Sequence, residues 1–176
     1  MGNRISVLWA TSSVGKGHVI RDIAIAKQLQ RLAEVDVDWL VPDPAREFML
    51  KRGHRVLDSS AELLGSGRSY VRVFADSTDE FNLIRYILAE GKLHKHDFLV
   101  SSRAWERGSF DVIVGDEAFW LLSGFAAGWK PKPAPFVFIT DFIATKAMRP
   151  RPRDLFVSWF SNFKFSMSHR SPNLYL

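Results

Sequence analysis

The sequence contains no cysteine. Disulfide staples, thiolate nucleophiles and cysteine-ligated zinc are therefore excluded. No apolar run approaches 18 residues, so no transmembrane helix is expected. The N-terminus lacks a charged segment followed by an apolar one, so no signal peptide is expected and a cytoplasmic place is the default. Net charge is missing from most of the chain. Residues 1–142 carry eighteen basic and eighteen acidic side chains. The formal charge of +5 arises in residues 143–176, where Lys146, Arg149, Arg151, Arg153, Lys164 and Arg170 face Asp154 alone. A basic face across the whole domain is absent, which argues against a nucleic-acid partner. What remains is ordinary for a globular protein: 176 residues, 47% apolar and 24% charged. A chain of this size forms one domain with at most an appendage, and it buries roughly 70% of its unfolded surface without a staple.

Short apolar runs alternate with helical patterns. Strands are expected at Ile5–Ala10, Val35–Val41, Arg55–Asp58, Asp111–Gly115 and Phe136–Thr140. Helices are expected over about Gly17–Ala33, over Ala45–Arg52 with Asp43 as its cap, from Asp79 onward with a resumption after Gly91 toward Arg107, and over Phe119–Ala127. In the first helix Val19, Ile23, Ala26, Leu29 and Ala33 keep a helical period. Strands alternating with helices predict an α/β fold, Rossmann-like, with a parallel sheet covered on both faces. The stretch Ser59–Thr78 is rich in Ser and Gly and has no clear period; loops this long are usually functional or mobile. It contains Arg68, Tyr70 and Arg72, candidates for ligand recognition. Domain-like order ends near residue 142. Residues 143–176 form a basic, proline-broken linker and then an aromatic segment with Phe156, Trp159, Phe160, Phe163 and Phe165.

The first strand runs into Thr11-Ser12-Ser13-Val14-Gly15-Lys16-Gly17-His18. Such a loop lies at the carboxyl ends of the strands, where doubly wound folds place ligands. A P-loop requires Gly, four residues, then Gly-Lys-Ser/Thr. Here Gly15-Lys16 is followed by Gly17, and Ala10 stands five residues before Gly15, so that motif fails. A dinucleotide fingerprint is half met by Gly15 and Gly17, but its third site is Ile20, too large for close helix–strand packing.

The string Ser13-Val14-Gly15-Lys16-Gly17-His18-Val19-Ile20-Arg21, with Ala24-Ile25-Ala26-Lys27-Gln28-Leu29 after it, resembles the glycine-rich motif of GT-B glycosyltransferases. It is most similar to the MurG-like and UDP-glycosyltransferase group. Many of those proteins carry proline two or three residues after the histidine; here Ile20 and Arg21 stand there. The resemblance spans about residues 3–60 and 108–142. It implies one half of a GT-B architecture, the N-terminal, acceptor-binding domain of an inverting transferase. Such an enzyme moves a sugar from a nucleotide-sugar donor to an acceptor hydroxyl, which in this group can be lipid-linked.

The chemistry fits the position. Attack by a hydroxyl needs a base, and imidazole with a reference pKa of about 6.5 suits that task. His18 is the expected base. Asp116, at the end of a central strand on the same sheet edge, is expected to orient it, with Glu117 as the substitute if the register is shifted by one. In the resembled group an acid at the matching strand end has this role. The bland readings are a helix-opening histidine and an acid capping the next helix. Ser12, Ser13, Gly15 and Gly17 are expected to shape the loop or bind acceptor or phosphate at the helix N-terminus. Asp141 either lines the acceptor cleft or caps the next segment. His54 is expected to be solvated. His94 and His96, two apart, do not share a helix face, and no metal or cofactor is required.

No second nucleotide-binding motif appears beyond residue 142. The resemblance then implies that the donor half is a missing C-terminal domain or a separate subunit, and that this chain alone is inactive. The aromatic tail has two readings: a surface that packs on the donor half, or a peripheral contact with an anionic membrane. Exposed aromatics on an isolated half would also favour self-association. The alternatives to a transferase half are a non-catalytic nucleotide- or phosphate-binding module and a membrane-associated partner subunit of a split glycosyltransferase.

Overall fold

The computed structural model describes residues 4–12, 16–65, 83–141, 152–168 and 171–176. Ser13, Gly15, the proposed cap Asp79, and most of both the Ser59–Thr78 stretch and the basic linker lie outside the described residues. The first apolar run forms β1, Ile5–Thr11, and the periodic segment after it forms α1, Lys16–Leu32. Next come β2, Val35–Leu40; α2, Ala45–Leu50; and a single 3-10 turn at Asp58–Glu62. The later elements are α3, Leu83–Arg107; β3, Val112–Asp116; α4, Phe119–Ala126; β4, Phe136–Ile139; α5, Pro152–Ser168; and β5, Leu174–Tyr175.

Five parallel strands make one sheet in the order β2-β1-β3-β4-β5. The α/β Rossmann-like expectation is met. The central strands β1, β3 and β4 are apolar on both sides because both faces of the sheet are covered there, whereas the edge strand β2 carries Asp36 and Asp38 on one side. In β1, Leu8 and Ala10 pack with Phe98, Ile113, Leu121, Leu122, Phe136 and Phe138 on the α3/α4 side. Val7 and Trp9 face the other way and pack with Val19, Ala26, Trp39 and Val114 on the α1 side. The chain steps from β1 to β2 on one flank, then returns past β1 to build β3, β4 and β5 on the other. The order therefore reverses between β1 and β3. Thr11 of β1 stands beside Asp116 of β3, so the carboxyl ends of these two strands are level at the switch point.

Several expectations are modified. Arg55–Asp58 is not a strand; a single bridge joins Val56 to Trp39 before the chain turns into the 3-10 segment. Asp43 does not cap α2. The cap position is Pro44, and the Asp43 carboxylate pairs with Arg46 at 3.2 Å instead. Helix α3 runs unbroken through Gly91, because Gly91 lies on the exposed side while Asp97, Phe98, Val100 and Ser101 are buried. That burial outweighs the roughly 1 kcal/mol helix penalty of a glycine. In α1, Val19 and Ala26 are buried, but Leu29 is exposed, and Ala33 is exposed just past the end of the helix. Past residue 142 the alternation continues with α5 and β5. Asn173 accepts from the Phe136 amide at 2.9 Å, which ties this segment to β4.

Helix α4 lies close against α3 because it carries Gly124. A Cβ there would stand 2.0 Å from the Phe98 ring, which is fully buried and meets Phe125, Trp105 and Trp129 edge-on. The ring cannot retreat without breaking those contacts. Gly124→Ala is expected to lower unfolding free energy by about 1–3 kcal/mol or more, the cost of overpacking. Denaturant titration checks this; an unchanged midpoint would show that the helix pair can separate freely.

Candidate active site

The switch point gathers side chains from four elements. His18 comes from the first turn of α1, and Arg21 and Asp22 from its second. Asp116 and Glu117 end β3, Thr11 ends β1, and Thr140 and Asp141 lie just past β4. A helix starting directly after β1 presents its positions 18, 21 and 22 to the end of β3, since three- and four-residue steps share one face.

Asp116 is fully buried. His18 Nδ1 lies 3.4 Å from its Oδ1, and the His18 side chain is 16% exposed, so the ring can still be reached from solvent. The alternative role for an acid at this place is unfilled: the N-cap of α4 is Ala118, and the helix has no side-chain cap. Arg21 is the group that grips Asp116. Its Nη2 donates to Oδ1 at 2.6 Å and Oδ2 at 2.8 Å, and its Nε donates to Oδ2 at 3.2 Å. Its Nη1 donates to Asp141 Oδ1 at 2.5 Å. Hydrogen bonding to Asp116, then to Asp141, pushes the guanidinium pKa above its ordinary value against the opposing effect of burial.

Beneath them Asp22 is wholly buried. Its Oδ2 accepts the Thr11 hydroxyl at 2.6 Å, and its Oδ1 has no hydrogen-bond donor among the described residues. Burial first, and then the hydrogen bond and charge of Asp116, push its pKa up to about 8. Burial and Asp116 both favour the protonated form of Asp22, which can donate to Asp116 rather than repel it.

Glu117 does not substitute for Asp116. It turns away with a φ of 50°, a left-handed backbone that is uncommon outside glycine. Its Oε1 accepts the Thr140 hydroxyl at 2.7 Å and the Asp141 amide at 2.9 Å. Burial raises its pKa while these two donors oppose the rise. Glu117 therefore fixes the loop that carries Asp141. Asp141 itself faces Arg21 with an exposed side chain.

Ser12 is buried, and its amide donates to the Asp116 carbonyl at 2.9 Å, locking the ends of β1 and β3 together. Gly17 is not forced by sterics. It lies inside the first turn of α1, and a Cβ there would meet nothing within 4 Å. Gly17→Ala is expected to be neutral or to stabilise by about 0.4–1 kcal/mol through the unfolded chain. A loss of stability in thermal unfolding would contradict this.

The other histidines stand apart. His54 is half-buried edge-on against Trp39, with its pKa lowered by burial and then by Lys27 and Arg52. It lines a cleft of about 280 Å³ between α1 and β2, with Lys27, Asp36 and Arg55, away from the switch point. His94 Nδ1 meets Ser123 Oγ at 3.1 Å in the α3–α4 contact. His96 Nδ1 meets Asp97 Oδ1 at 3.1 Å. Among the described residues no group of three or more potential ligands could hold a metal. No described helix is long and apolar enough to cross a membrane.

No protein-family model and no curated protein matches this sequence. Solved structures do match its shape. MurG of Acinetobacter baumannii superposes with a TM-score of 0.56 at 13% identity, over 97% of this chain and 40% of its own. SsfS6, a glycosyltransferase of Streptomyces sp. SF2575, gives 0.57 at 11% identity, over 98% of this chain and 49% of its own. The glycosyltransferase SnogD of Streptomyces nogalater gives 0.54 at 15% identity, over 99% and 44%. The fold is GT-B glycosyltransferase-like. This GT-B-like chain spans less than half the length of each of those three proteins. Its likeness to them takes in nearly the whole chain.

Arg21 and Asp22 are absent from the sequence-level site. One signal for Asp22 was available: it is an acid on the inward stripe of α1, between Val19 and Ile23. Arg21 was visible only as a departure from the proline of the resembled motif.

Proposed function

We propose that this chain is the acceptor-binding, N-terminal half of an inverting glycosyltransferase. The observation that carries the reading is His18 set against fully buried Asp116 at the β1/β3 switch point, Nδ1 to Oδ1 at 3.4 Å. Apo catalytic contacts are often this long and tighten with substrate bound. In the reacting state His18 Nδ1–H donates to Asp116, which leaves the Nε2 lone pair to face the acceptor. The hydroxyl oxygen bonds to the anomeric carbon and its proton passes to Nε2. The bond from that carbon to the donor phosphate breaks, and the nucleoside diphosphate leaves with the electron pair. Asp116 stabilises the imidazolium so formed.

The donor nucleotide binds on a second half, either downstream or in a separate subunit. The stripe of Leu155, Phe156, Trp159 and Phe163 on α5, each at least half exposed, packs against that half. The acceptor enters over Gly17, where open space borders the start of α1. Its identity is set in the Ser59–Thr78 stretch. The protein works in the cytoplasm, where nucleotide-sugars are available.

The test is sugar transfer by the complete transferase, with this chain as its acceptor half, across nucleotide-sugars and hydroxyl acceptors. Product with an inverted anomeric centre is expected. Micromolar binding of NAD or ATP by this chain, with no transfer, would overturn the reading in favour of a nucleotide-binding module.

A further inference from the structure

Two groups compete for one edge of Asp116. His18 Nδ1 stands 3.4 Å from Oδ1, beyond the usual N–H···O range. Arg21 Nη2 stands 2.6 Å from the same oxygen, and also 3.1 Å from His18 Nδ1. A guanidinium has donors only and does not deprotonate in proteins. Its contact with Nδ1 is therefore a hydrogen bond only when Nδ1 holds no proton. A neutral imidazole in that arrangement carries its hydrogen on Nε2. This is the opposite tautomer from the one a base directed at the acceptor requires.

We infer that Arg21 is a positioning residue that holds His18 in the Nε2-protonated tautomer, withholding the base until the guanidinium leaves Nδ1. The role of His18 as a base rests on the proposed function; its tautomer does not. Asp141 gives the guanidinium a second anchor outside the buried pocket, with a side chain 55% exposed against 0% for Asp116. A guanidinium that slides toward Asp141 frees Asp116 Oδ1. Nδ1–H can then donate to it, and Nε2 is opened. The remaining acids are committed elsewhere: Glu117 accepts from Thr140 and the Asp141 amide, and Asp22 accepts from Thr11.

The tautomer is read directly by long-range proton–nitrogen NMR on this chain with ¹⁵N-labelled histidine. The His18 signals are assigned by their loss in His18→Ala. In its neutral form, wild-type His18 is expected to show Nδ1 bare and Nε2 protonated, and Arg21→Gln is expected to move the proton to Nδ1. Arg21→Met, similar in length but without donors, serves if Arg21→Gln does not fold. A neutral wild-type His18 protonated at Nδ1 overturns the inference. So does a tautomer unchanged in a folded Arg21 variant. Turnover of His18→Ala in the complete transferase tests the base reading separately, so the two can fail independently.

Discussion

Asp22→Asn is expected to make the protein more stable at pH 7 and to remove most of a downward slope in its stability with pH. The folded carboxyl is pushed up to about 8 from an ordinary 3.8, by burial first and then by Asp116. Between those values the unfolded chain has released the proton while the native state keeps it. Fewer protons on the unfolded state make the slope negative, so stability falls as pH rises through this window. Each pH unit costs about 1.4 kcal/mol while the difference persists. Below pH 4 both states are protonated and the cost vanishes. Asparagine reproduces the neutral acid: its carbonyl accepts from Thr11 and its amide donates to Asp116. The gain over wild type should therefore grow from nothing near pH 4 to a few kcal/mol near pH 8. Denaturant unfolding across that range measures it. Parallel curves for wild type and variant would mean that Asp22 is ionised in the native state.

His18→Ala carries the second large effect. In the complete transferase its turnover should fall by about 10²–10⁴-fold, the usual worth of a positioned general base. Donor binding should survive, because no donor contact is assigned to His18. Asp116→Ala should fall less, since it acts through the imidazole. The double variant should be scarcely worse than His18→Ala, as residues that act as a unit are not additive. Multiplying losses would mean that Asp116 works independently, for example by holding Arg21 alone. Near-normal turnover of His18→Ala would remove the base altogether.

The frame of this fold was legible because it depends on period and punctuation. β1, α1, β2, β3, α4 and β4 fall within a residue or two of the segments read from apolar runs and loop residues. The fold expectation is met by the GT-B-like structures that match the chain. Misread elements turned on tertiary context. Gly91 breaks nothing, because it faces solvent while Asp97, Phe98, Val100 and Ser101 of α3 are buried. Asp43 prefers Arg46 to the helix end. β5 is only two residues long, and it becomes a strand because Asn173 and the backbone of β4 receive it. His18 and Asp116 could be named from strand ends, since a parallel sheet aligns them on one edge. Arg21 and Asp22 could not, because their roles arise from competition for one buried carboxylate. Periodicity places a residue on a face but does not say which of three neighbours holds a proton.

If His18 removes a proton from the acceptor, its importance should depend on how readily the acceptor gives that proton up. The complete transferase and its His18→Ala variant would be assayed with acceptors of matched shape, an aliphatic alcohol and an acidic phenol that ionises unaided near neutral pH. The ratio of wild-type to variant turnover should be about 10²-fold or more for the alcohol and should shrink toward one for the phenol. An equal loss with both acceptors would contradict the role of His18 as base, because the residue would then position or shape the site without taking the proton.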